Sequence, residues 1–112
     1  MNGHEENKDL EMVQRTFALS NTELAEIFSI NRQALDYWHE HGVPSNRKVK
    51  LATVAALAEV LSHKLKKERI AAVVRRHADA HEGKSMLQLI SEDQETRLLE
   101  ETRAVFDWSV TA

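Results

Sequence analysis

The chain contains no cysteine, one proline and three glycines among its 112 residues. Without cysteine, neither a disulfide framework nor a thiolate metal site can form, and the composition suits a reducing, cytoplasmic setting, which is the localisation expected. Little proline and glycine means few breaks. With long segments of 3.6-residue apolar periodicity, this predicts an all-α fold. Long apolar runs are missing too: the most apolar stretch, 51–58, holds Thr53 and is soon followed by Glu59, far short of the roughly 20 residues that span a bilayer. The opening M-N-G-H-E-E-N-K-D has no apolar core of a secretory signal. A water-soluble chain with no membrane partner is expected. There is no glycine-rich phosphate loop and no nucleophile motif, so neither an enzyme nor a cofactor is expected. His77 and His81 stand at i,i+4 without a third ligand, and His39 and His41 diverge on a helix, so no metal site is expected.

What is present is charge, unevenly spread. Residues 1–28 carry a net −4, 29–50 a net +2, 51–78 a net +4 and 79–112 a net −5, for a total of −3. A polyanion responds to the local field, because screening removes interactions beyond about 10 Å. The middle of the chain is therefore a cationic belt between acidic flanks. For its lysines and arginines from Lys64 to Arg76, the simplest reading is a solvated helix face.

Residues 1–8 are read as a disordered N-terminus, 9–65 as a helix-turn-helix DNA-binding domain, and 66–112 as a C-terminal helical region for dimerisation or partner binding. A first helix is predicted over 9–17, with Leu10, Val13, Phe17 and Met12 inward. Ser20-Asn21-Thr22-Glu23 has the form of a capping box that opens a short second helix running to Phe28. Asn31 caps a third helix over 32–41, which Gly42 ends and Pro44 keeps from resuming. A fourth helix over 46–63 is apolar nearly all round, as a central buried helix is. A fifth is predicted over 66–78, then a linker over 78–84. Two further capping boxes, at Ser85 and Ser91, predict a short helix and a closing one that ends near Trp108.

The stretch N-T-E-L-A-E-I-F-S-I-N-R-Q-A-L-D-Y-W, residues 21–38, has a steric reason at each position. Leu24, Ile27 and Phe28 form an inner face, Ala25 permits a close helix crossing, Ile30 fills the turn, and Leu35 and Trp38 bury the back of the second helix. The outward residues at the start of that helix are polar. This pattern resembles the helix-turn-helix of phage-repressor-like (Xre) regulators, with Ser29 standing where that turn usually has glycine. Such a motif sends the leading end of its second helix into the major groove. The candidate base contacts are Asn31, Arg32, Gln33, Asp36 and Tyr37: arginine pairs with guanine and glutamine with adenine in bidentate fashion. The candidate phosphate contacts are Thr22, Asn46, Arg47, Lys48 and Lys50, most of them at the start of the fourth helix. Double-stranded DNA and a second copy of the chain are the expected partners.

A helix-turn-helix unit would end near residue 65, leaving an acidic C-terminal third. Leu98, Leu99, Val105, Phe106 and Trp108 recur there at mostly helical spacing and are the candidate partner or dimer interface. The helix-turn-helix, the segment A-T-V-A-A-L-A-E-V-L (52–61) and G-K-S-M-L-Q-L-I (83–90) together resemble antitoxins of the Xre/MbcA/ParS kind. The departures are Met86, where that family often has proline, and the missing tryptophan-rich lead-in. The resemblance implies an antitoxin that neutralises a toxin, often a RES-fold NAD-consuming enzyme, through its C-terminal region, and that represses its own operon. A sequence-specific regulator without a toxin is the plainer expectation.

Overall fold

Ser20 starts the best-defined element of the chain. Its hydroxyl accepts from the Glu23 amide at 3.1 Å while the Glu23 carboxylate accepts from the Ser20 amide at 2.9 Å, so the predicted capping box is present in both directions. In this computed structural model, which describes the backbone of residues 2–111 and the side chains of 7–106, the described residues form seven α-helices and no strand: α1 (Asn2–Phe17), α2 (Asn21–Ile27), α3 (Arg32–His41), α4 (Ser45–Lys64), α5 (Lys67–Arg75), α6 (Met86–Ser91) and α7 (Glu95–Thr111). The all-α class read from the sequence is the observed one.

Several boundaries differ from expectation for local reasons. The first helix begins at Asn2, not at residue 9, and Asn7 donates to the His39 carbonyl at 2.9 Å, tying the lead-in to the end of α3. The segment 78–84 is a closed turn instead of an open linker. Gly83, at φ +78°, donates its amide to the Ala78 carbonyl, and Ala78 and Lys84 pair across it. Ser85 does cap α6 by accepting from the Gln88 amide. Ser91 caps nothing: its hydroxyl donates to the Gln88 carbonyl at 2.6 Å, Asp93 takes a left-handed φ of +63°, and α7 waits until Glu95.

Helix α4 is central, as its all-round apolar sequence required, and packs mainly against α1 and α7. The buried apolar side chains, from Leu10 to Leu98, form one cluster, so the core shows no break at residue 65. Helix α6 lies against α2 and α5. The C-terminal third thus helps to bury α2.

One polar side chain joins these halves. Lys50 on α4 is only 8% exposed. It donates to the Ile90 carbonyl at the end of α6 at 2.6 Å and to Asp93 Oδ1 at 2.7 Å. Its ammonium also lies 3.7 Å from Glu95 Oε1 and 5.8 Å from the centre of the Phe28 ring. At that distance Glu95 is an ion-pair partner but not a hydrogen-bond acceptor, and its Oε1 is buried with no hydrogen-bond partner among the described residues. The hydrogen bond from Lys50 and its charge hold the Asp93 carboxyl below its ordinary value.

Lys50→Met should therefore cost about 3–5 kcal/mol, because it leaves the buried Glu95 carboxylate without its cation. Asp93→Asn, which removes a partner exposed to solvent, should cost under about 1 kcal/mol. Urea denaturation monitored by circular dichroism separates the two. The pH dependence has a definite sign as well. Asp93 and Glu23, the latter lowered mainly by its hydrogen bond from Arg75, have folded values below their unfolded ones. Their contribution is complete above the ordinary carboxylate range near ~4 and is lost as pH falls below it. Urea midpoints should be flat from neutral to weakly acidic pH and fall only in that acid range.

Candidate functional site

The first helix of the pair, α2, ends in a tight left-handed turn. The Ser29 amide donates to the Glu26 carbonyl at 3.0 Å and the Ile30 amide to the Ala25 carbonyl at 3.0 Å, which is the Schellman pattern. Ser29 occupies its left-handed position at φ +56°, where glycine would be unstrained and another L-residue costs roughly 1–2 kcal/mol. Its hydroxyl donates to the Ser91 carbonyl at 3.3 Å, from the end of α6, and so offsets part of that strain.

Behind the turn, Leu24, Ala25, Ile27, Phe28, Leu35 and Trp38 are all buried, as their spacing predicted. Phe28 and Trp38 meet edge to face at 5.3 Å and 72°, the arrangement the ring quadrupoles favour. Trp38 is thus a core anchor that locks α3 to α2.

With its back buried, α3 presents Asn31, Arg32, Gln33, Asp36 and Tyr37 as exposed residues. Their availability differs. Asn31 Oδ1 accepts from the Ala34 amide at 2.7 Å as the helix cap, leaving its NH₂ end for other partners. Arg32 lies 3.5 Å from Asp36 one turn on, in a pair whose side chains are 59% and 63% exposed. A pair so exposed contributes under about 0.5 kcal/mol, so the guanidinium can turn to another acceptor at little cost. Tyr37 is 61% exposed, its ring 4.4 Å from that of His41. Glu40 and His41 approach at 3.6 Å.

The expected phosphate contacts are less uniform. Thr22 and Asn46 are exposed, and Arg47 and Lys48 are half-buried near the start of α4. Lys50 is a correction: its ammonium is buried among Ile90, Asp93 and Glu95 and cannot meet a duplex. Arg75, read as part of a solvated face, is also structural. Its guanidinium grips both oxygens of Glu23 at 3.0 and 3.2 Å and donates to the carbonyls of Phe17, Ala18 and Ala71. Two charges of the cationic belt are thereby spent inside the protein. A contact 52 positions apart in the chain leaves no sequence signal.

In the C-terminal third, Leu98 is 1% exposed and belongs to the molecule's own core, which corrects its assignment to an interface. Its neighbours fit an interface better: Leu99 and Phe106 are half-buried and Val105 is 62% exposed. The Trp108 side chain lies outside the described residues. His77 and His81 turn to different partners, His77 Nδ1 to the Gly83 carbonyl at 2.7 Å and His81 Nε2 towards Glu101 at 3.8 Å.

The arrangement is that of an all-α protein in which two short angled helices present a polar leading edge and are buttressed by a helical C-terminal region. No model of a protein family matches the chain, and no curated protein matches it. Among solved structures, the fold is similar to a chain in the crystal structure of the M. tuberculosis MbcT-MbcA toxin-antitoxin complex, with a TM-score of 0.70 and 17% identity, covering 88% of this chain and 90% of that one. At that identity the likeness is one of fold.

The turn offers a direct check. Ser29→Gly trades one hydrogen bond for relief of strain and should stay within about 1 kcal/mol of the parent. Ser29→Val, β-branched at a positive φ, should cost more than about 2 kcal/mol. Thermal denaturation of the two variants distinguishes this turn from one in the ordinary right-handed region, where they would differ little.

Proposed function

We propose that the chain is an antitoxin that neutralises a partner toxin through its C-terminal helices and uses its helix-turn-helix to repress its own operon. The observation that carries this reading is the fold shared over 88% of the chain with a member of a toxin-antitoxin complex. That likeness extends past the helix-turn-helix into α5, α6 and α7, which a minimal DNA-binding unit would lack. The acidic charge of residues 79–112 further suits a protein-binding surface better than a phosphate-binding one.

On the DNA side, Arg32, Gln33 and Tyr37 are assigned to base edges, with Asn31 supporting them. Thr22, Asn46, Arg47 and Lys48 are assigned to phosphates. Lys50 is withdrawn from that set. Asp36 acts against binding by holding Arg32 and by repelling phosphates. A repressor with no toxin partner is the second reading, supported by the exposed polar edge of α3 alone.

Co-expression with the product of the adjacent reading frame tests the main reading: that product should arrest growth alone and be tolerated with this chain. An innocuous neighbour that forms no complex with the chain would leave the repressor reading. In mobility shifts against the chain's own upstream region, Arg32→Ala should weaken specific binding by about 1–3 kcal/mol. Arg47→Ala should weaken all sequences alike and lower the salt slope by about one. Asp36→Asn should tighten binding to any duplex roughly fivefold at low salt. None of the three should impair rescue from the toxin, since all lie outside α5–α7.

A further inference from the structure

Two helices end side by side next to the turn that aims α3. Helix α2 stops at Ile27 and α6 at Ser91, and the Ser29 hydroxyl, just past the first end, donates to the Ser91 carbonyl at the second. The last carbonyls of a helix carry partial negative charge, so the junction of two such ends is electronegative. A cleft of about 520 Å³ opens here between α2 and α6. Its apolar part is Ile27, buried, and Leu87, half-buried. Among the described residues no lysine or arginine lines it.

The polar lining has acceptors to offer and few donors. The Ser29 hydroxyl proton is committed to the Ser91 carbonyl, and that of Ser91 to the Gln88 carbonyl at 2.6 Å. What those two hydroxyls keep is their lone pairs. The Glu23 carboxylate is held by Arg75 at 3.0 Å. Glu26 differs: it is exposed, and its carboxylate has no ion-pair or hydrogen-bond partner among the described residues. The Gln88 side chain is likewise exposed and without a partner among them. A ligand for this cleft must be cationic, bring several N–H groups and carry an apolar stem.

We propose that the cleft binds a guanidinium group on an aliphatic stem, either the arginine side chain of a protein or a free alkylguanidine. This site lies outside the antitoxin and DNA-binding readings and does not depend on them. A guanidinium is a planar fork of five donors with no acceptor, and it meets a carboxylate in bidentate fashion. Glu26 supplies that carboxylate, and the Ser29 and Ser91 lone pairs and the Gln88 carbonyl oxygen supply acceptors for the remaining N–H groups. The stem has Ile27 and Leu87 to lie against. An ammonium brings only three donors around a compact, strongly hydrated charge, and an anion is repelled by Glu26 and both helix ends. The occupant would touch α2 and α6 together, and so hold the α2–α3 pair against the C-terminal region.

Nuclear magnetic resonance of the full chain, titrated at constant ionic strength, tests this with n-butylguanidinium, n-butylammonium and butyrate as probes. The guanidinium should shift the amide signals of residues 26–29 and 85–91 saturably, with a dissociation constant on the order of millimolar. The ammonium should bind at least fivefold more weakly, and butyrate should leave those signals unmoved. Glu26→Gln changes an exposed residue, so it should keep the parent's circular dichroism and weaken guanidinium binding at least fivefold. Glu59→Gln, at an exposed carboxylate on α4 away from the cleft, should leave binding unchanged. The capped peptide acetyl-Gly-Arg-Gly-amide distinguishes the two sources. Binding as tight as that of n-butylguanidinium supports a protein's arginine, and exclusion of the peptide while the small cation binds supports a free alkylguanidine. Shifts that spread over the acidic surface without saturating overturn the proposal. So does saturable binding that ignores Glu26→Gln, or an ammonium that binds as well as the guanidinium. Because the chain is titrated alone, any of these failures leaves rescue from a toxin, and with it the antitoxin reading, to be judged separately.

Discussion

A buried ammonium group decides how this molecule is organised. Lys50 lies within the interior instead of reaching solvent, and burying a cation is costly unless its donors are met. Two of them are met, by the Ile90 carbonyl in the last turn of α6 and by Asp93, the left-handed residue after it, while the Glu95 carboxylate in the first turn of α7 adds an opposing charge at 3.7 Å. The stretch 90–95 therefore cannot swing away from α4 without exposing a charge pair, and α6 and α7 are fixed relative to the central helix. Because α6 also packs on α2, the orientation of the α2–α3 pair depends on the same contact. The acidic C-terminal third is a support of the N-terminal unit as well as a surface of its own.

Charge spent in this way changes what the outside can do. The sequence suggests a cationic belt from 29 to 78, yet Lys50 and Arg75 are consumed by Asp93, Glu95 and Glu23, and Arg32 is shared with Asp36. Since affinity for any duplex scales with the phosphates neutralised, a lone copy has fewer cations to offer than its sequence suggests. Specific binding would have to rest on base contacts from α3 and on a second copy.

The legible part of the sequence was the part governed by local rules. The capping box at Ser20, the Asn31 cap, the Gly42 stop and the inner residues of α2 and α3 all follow from spacing and side-chain chemistry over a few positions, and the structure has them. The misreadings arose where a residue's role depends on chain far away. Lys50 reads as a surface cation at a helix start. Its periodicity gave the answer, because Lys50, Val54, Leu57 and Leu61 share one face and all four are buried. A polar residue on the most apolar stripe of a central helix needs a buried partner, and the acidic cluster around 92–95 was available to supply it. Leu98 was misplaced for the opposite reason: periodicity shows that α7 has an apolar stripe but not which part of it the chain itself covers. The supposed cap at Ser91 failed because its hydroxyl had a nearer acceptor, the Gln88 carbonyl.

The same geography bears on how two binding events would meet. Ser29, in the turn that aims α3, donates to the Ser91 carbonyl, and Lys50 holds the residues on either side of that carbonyl, Ile90 and Asp93. The α6–α7 turn is thus in direct contact with both the α2–α3 turn and the central helix. Any ligand of the C-terminal helices that displaces residues 90–93 must disturb the Ser29 hydrogen bond or strand the Lys50 ammonium, and it would be opposed by the free energy of those contacts. A ligand that leaves the turn in place has no such lever on α3. Coupling between a protein partner and DNA therefore reduces to the position of one four-residue turn, for coupling requires that a ligand distinguish two arrangements of a shared element.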